Sequence, residues 1–93
     1  MRVSVKYFGP VYEATGVREE QVHLPEKSNI EELLVLLDER YGKLHDYLFN
    51  EEGEFIDYLS ISVNGVYISS MKKFDTVLKD GDMIFLMPPI GGG

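Results

Sequence analysis

Cysteine is absent from the 93-residue chain. That single absence excludes disulfides, thiolate metal sites, iron–sulfur clusters and a cysteine nucleophile. Tryptophan is absent as well, and histidine occurs only at His23 and His45. A zinc site built wholly from protein ligands is therefore not expected. Positive charge is scarce: 9 Lys and Arg stand against 16 Asp and Glu, a net charge of −7. Such a surface repels phosphate, so neither nucleic acid nor an anionic membrane is an expected partner, while basic protein partners stay open. The densest apolar run, Met83–Met87, is far shorter than the ~20 residues of a membrane helix. No stretch combines the charged start, apolar segment and small-residue cleavage site of a signal peptide, and a cytoplasmic protein is expected.

What is present suits one folded domain. Hydrophobic residues make up 44% of the chain and charged residues 27%, too apolar for disorder. The length supports one modest core and no second domain. Residues 2–8 alternate with period two and read as a strand, with Val3, Val5 and Tyr7 inward and Arg2, Ser4, Lys6 and Phe8 outward. Gly9-Pro10 ends it, because proline cannot continue the ladder. Residues 11–16 suggest a helical turn stopped by Gly16, and Glu20–Leu24 a short strand closed by Pro25.

The strongest local signal is a helix. Ser28-Asn29-Ile30-Glu31 reads as a capping box, Ser28 accepting from the third helical N–H and Glu31 reaching back. Ile30, Leu33, Leu34, Leu37 and Tyr41 recur as one apolar stripe, and Gly42 stands where a left-handed cap belongs. Leu44, Tyr47 and Leu48 predict a further helical turn, followed by a charged turn at Asn50–Gly53. Leu59–Val63 reads as a strand, and Asn64-Gly65 before Val66-Tyr67-Ile68 as a type I′ hairpin with Val63 opposite Val66. Lys79-Asp80-Gly81-Asp82 is another tight turn into a strand at Met83–Met87. One amphipathic helix among these strands predicts an α+β roll, with first and last strands parallel at the centre of a mixed sheet. The expected division is a domain over 1–87 and an extended tail over 88–93.

Two features ask for more than stability. Pro88-Pro89 followed by Ile90-Gly91-Gly92-Gly93 has no use in a core, since glycine packs nothing and is costly to order. Without side chains, such a tail can thread a narrow channel and present a carboxylate there, while the prolines stiffen its base. The second feature is the outer face of the sheet. If Ile84 and Leu86 point inward, Met83, Phe85 and Met87 point outward, where Phe8 and Tyr67 also lie. An aromatic and methionine cluster on that side is expected to be a partner-binding surface.

These residues carry a resemblance. Val3–Phe8, Glu13-Ala14-Thr15-Gly16, Ile30–Leu37, Val63-Asn64-Gly65, Leu78–Asp82 and the Pro-Pro…Gly-Gly ending span nearly the whole chain. In them the chain resembles the small subunit of molybdopterin synthase and the wider group of ubiquitin-like sulfur carriers. The resemblance implies a ubiquitin-like β-grasp, a mixed sheet of four to five strands wrapped over one main helix. It also implies that a ubiquitin-activating-type adenylyltransferase uses ATP to adenylate Gly93, and that a persulfide donor then leaves a thiocarboxylate there. By the same resemblance the carrier is expected to bind no cofactor of its own and not to be an enzyme alone. The large subunit of molybdopterin synthase would receive the tail and use its sulfur. On that basis Gly93 and Gly92 are the reacting end, and Phe8, Tyr67, Phe85, Met87, Pro88, Pro89, Ile90 and Gly91 bind partners.

Alternatives stay open. The same chemistry serves a protein modifier joined to lysines or a carrier for transfer-RNA thiolation, and a β-grasp adaptor with an idle tail is a reading of another class. Asp80 and Asp82 have the spacing of a hairpin, not of a metal site. Glu51-Glu52-Gly53-Glu54 lacks the periodicity of a calcium loop, and Gly91–Gly93 lacks the lysine and helix of a phosphate loop. Ser69, Ser70, His23 and His45 read as structural or solvated. Glu51 and Glu52 are candidates for steering a basic partner.

Overall fold

The computed structural model describes residues 1–56 and 60–88. Its first strand, β1 (Arg2–Tyr7), buries Val3, Val5 and Tyr7 in strict alternation. The chain turns at Gly9-Pro10 into α1 (Pro10–Thr15), which Gly16 stops in the left-handed conformation at φ 78°. A second strand, β2 (Glu19–His23), returns antiparallel to β1 with Val3 opposite Val22. Leu24, expected as its last residue, lies just past it, and its N–H donates to the Met1 carbonyl.

Helix α2 (Ile30–Arg40) starts one residue later than the Ser28 capping box predicted. Asn29 is the cap: its side chain accepts from the Glu32 N–H, and the Glu32 carboxylate accepts from the Asn29 N–H. Ser28 is diverted because it is buried, with its hydroxyl donating to the Pro25 carbonyl and its own carbonyl accepting from Leu78. Ile30, Leu33, Leu34 and Leu37 are fully buried along one face, as the stripe predicted. Gly42 does not take the left-handed cap. Tyr41 ends the helix in an extended conformation, and Gly42 opens a tight 3-10 turn through Leu44 that leads into α3 (His45–Leu48). That path drops Leu44 and Leu48 into the core.

The second half of the sheet comprises β3 (Ser60–Val63), β4 (Val66–Tyr67) and β5 (Met83–Met87). Asn64 and Gly65 both have positive φ, 52° and 86°, as the type I′ turn requires, and Val63 pairs with Val66. Val66 does not share the burial of Val63: it is exposed, because β4 is an edge strand only two residues long. Ile68 reaches the core by leaving the ladder for a 3-10 turn. Leu59 lies outside the described residues.

Strand order is β2-β1-β5-β3-β4, with β1 and β5 parallel and the other pairs antiparallel. The inward residues of all the long strands meet the apolar stripe of α2 in one core. This is the mixed α+β roll expected from the sequence, with five strands where four to five were expected. No helix among the described residues is long and apolar enough to cross a membrane.

Candidate functional site: the outer face of the sheet

β5 lies between β1 and β3, so its outward residues sit at the middle of the sheet. Ile84 and Leu86 are buried inward, which turns Met83, Phe85 and Met87 outward, each half-buried. Cross-strand register builds one continuous row on this face: Tyr67, Ser62, Phe85, Lys6 and Glu19. Met87 pairs with Ser60 in the next row. Phe8, just past the end of β1, extends the parallel ladder by donating its N–H to the Leu86 carbonyl. Its ring lies 5.2 Å from that of Phe85, tilted by 57°. The Lys6 ammonium stands over both rings, 5.9 Å from the centre of Phe8 and 5.8 Å from that of Phe85.

The base of the tail belongs to the same place. Gly9 takes φ 56° and ψ −135°, a backbone that side chains rarely allow, and Pro88 packs beside it. The structure thus brings Phe8, Phe85, Met87 and Pro88 together at one end of the parallel pair. Tyr67 lies at the far edge on β4, 48% exposed. Pro89, Ile90, Gly91, Gly92 and Gly93 lie outside the described residues.

A second cluster escaped the sequence reading. Glu20 accepts hydrogen bonds from the hydroxyls of Tyr7 and Tyr41, both at 2.6 Å, and from Arg40 at 2.8 Å. Burial alone would raise the Glu20 pKa, but the donors Tyr41, Tyr7 and Arg40 outweigh it and hold the carboxyl below its ordinary range. Burial, then the Glu20 carboxylate, pushes Tyr7 far above a normal phenol, and the same causes raise Tyr41. The cluster ties β2 to the end of α2 and is wholly occupied in doing so. The inward alternation of Val22 and Leu24 contained the signal, since Glu20 shares their face. A stack of rings, His45, Phe49, Phe55 and Phe74 at 4.7–4.9 Å, also had no periodic signature. Among the described residues no group of three or more His, Asp or Glu could hold a metal ion.

A mixed sheet whose first and last strands run parallel over one long helix, with an aromatic outer face, defines a ubiquitin-like β-grasp protein. A model of the ThiS family matches residues 5–93. Over 94 aligned residues, covering 100% of this chain and 92% of the relative, the chain is 31% identical to the molybdopterin synthase sulfur carrier subunit of Drosophila erecta. It is 25% identical to small archaeal modifier protein 3 of Haloferax volcanii, with 100% of both chains aligned. Among solved structures, small archaeal modifier protein 1 of Methanosarcina acetivorans superimposes with a TM-score of 0.83 at 30% identity, over 99% of this chain and 96% of that one. A chain from the complex of subunits 1 and 2 of the Helicobacter pylori molybdopterin-converting factor gives 0.63 at 27% identity, over 100% of both. The chain belongs to the ThiS family of ubiquitin-like sulfur carriers.

Proposed function

We propose that this protein carries sulfur on the carboxyl group of Gly93 and delivers it in molybdopterin biosynthesis. The observation that carries the reading is the Gly92-Gly93 ending in the sequence, four and five residues after Pro88; Pro88 itself follows the central strand beside the Phe8–Phe85 face. Full-length similarity to a relative named as a molybdopterin synthase sulfur carrier subunit supports it.

A carboxylate is ionised near neutral pH and inert as an acyl donor. An adenylyltransferase of the ubiquitin-activating type would join its oxygen to the α-phosphorus of ATP, releasing pyrophosphate. A persulfide sulfur then attacks the carbonyl carbon and AMP leaves. A thiol cleaves the resulting acyl disulfide, is itself oxidised to a disulfide, and leaves the thiocarboxylate. The carrier's part is to supply a reacting end of bare glycines without competing thiols, which zero cysteines guarantees, and a docking face. The large synthase subunit is the proposed acceptor; a structure in which the corresponding Helicobacter pylori subunits form a complex favours it.

A second reading is conjugation of Gly93 to lysines of other proteins, favoured by full-length similarity to an archaeal modifier protein. Both require activation of the diglycine. Removing Gly92 and Gly93 is expected to abolish ATP-dependent adenylation, followed as AMP transfer to the protein, with an unchanged melting temperature. Adenylation that survives the truncation refutes both readings.

A further inference from the structure

Lys6 is at the middle of the proposed docking face, and its charge is unanswered there. Among the described residues no carboxylate lies within salt-bridge distance of its ammonium. Glu19, its cross-strand partner, is exposed and makes no ion pair with it. The ammonium is held instead over the faces of Phe8 and Phe85, where ring quadrupoles attract it while its carbon stem covers apolar surface.

The charge of this face also departs from that of the molecule. Along the outward positions of the strands, Arg2 and Lys6 oppose a single acid, Glu19, although the chain as a whole carries −7. The acidic excess therefore lies on other surfaces. A partner laid over Phe8 and Phe85 strips water from the ammonium, which is costly unless an anion replaces that water.

We propose that Lys6 is a specificity residue of this face: it receives the carboxylate of an Asp or Glu that the partner protein presents within an apolar surround. The inference rests on the docking reading above and adds the chemistry that selects the partner. A partner offering Lys or Arg at that point would be rejected by like charge.

The test uses the full chain with the large synthase subunit of the same organism, the partner taken to cover this face, measuring affinity by titration calorimetry. Lys6→Met keeps the stem over the rings and removes only the charge. It is expected to weaken binding by about tenfold and to flatten its salt dependence. Lys6→Glu should weaken it further, and Lys6→Arg should restore most of the affinity. If Lys6→Met binds like the unaltered protein while Phe8→Asp does not, the face docks but the proposal is overturned. If both bind like the unaltered protein, the docking reading itself falls and the proposal with it. Should Phe8→Asp fail to fold, Tyr67→Asp at the exposed edge takes its place.

Discussion

Glu20 offers a perturbation whose size can be worked from the structure. Substituting Gln keeps the shape but removes the charge that three donors share. A hydrogen bond to a charged group contributes about 1.5–3 kcal/mol and a neutral one about 0.5–1.5, so the contacts to buried Tyr7 and half-buried Tyr41 each lose roughly 1 kcal/mol at most. The Arg40 contact adds little, because the guanidinium side is 41% exposed and solvent screens it. Glu20→Gln is therefore expected to cost up to about 2 kcal/mol, which lowers the melting temperature of a domain this size by up to roughly 8–16 °C. The assay is urea denaturation with melting followed by circular dichroism. The effect should depend on pH with a definite sign. A carboxyl held low in the folded state stabilises above its unfolded pKa and loses that contribution as pH falls through the folded value. The gap between the two proteins should thus close on acidification. A cost within about 0.5 kcal/mol at neutral pH, or a gap that widens in acid, refutes the reasoning.

Other positions give sharper contrasts. Leu37→Ala empties a fully buried site under the sheet and is expected to cost about 2–5 kcal/mol in urea titrations; a cost below 1 kcal/mol would show that α2 is not the anchor of the core. Phe8→Asp should leave most of the stability, since a half-buried aromatic pair contributes about 0.5–1.5 kcal/mol, yet reduce affinity for the adenylyltransferase about 30-fold or more. Unfolding of that variant would move Phe8 from the docking face to the framework. Tyr7, raised above a normal phenol by burial and Glu20, supports stability below its unfolded pKa of about 10 and loses it as pH climbs further. Tyr7→Phe should accordingly flatten the alkaline limb of a stability profile.

Much of the architecture was legible because local signals agreed with the global fold. The alternation of Val3, Val5 and Tyr7, the stripe from Ile30 to Leu37 and the Asn64-Gly65 turn each have one physical solution, and together they leave one sheet over one helix. The outward set Phe8, Phe85 and Met87 followed from parity alone. What escaped depended on contacts remote in sequence. Ser28 looked like a cap until Leu78 and Pro25 claimed it, and the cap moved to Asn29. Gly42 looked like a helix stop until Tyr41 was drawn to Glu20, 21 residues away. Val66 matched Val63 in register, yet a two-residue edge strand gave it nothing to pack against. The placement of the Lys6 ammonium over two rings could be seen only once β1 and β5 lay side by side.

The central claim is that Gly93 carries sulfur, and intact mass spectrometry of protein purified from its native cells tests it most directly. Mass is recorded before and after a thiol-alkylating reagent. With no cysteine in the chain, an oxygen-to-sulfur increment that the reagent then modifies can arise only from a thiocarboxylate, and that is the predicted result. Protein that remains unshifted and unalkylated, even after incubation with an adenylating enzyme, ATP and a persulfide donor, would contradict the account.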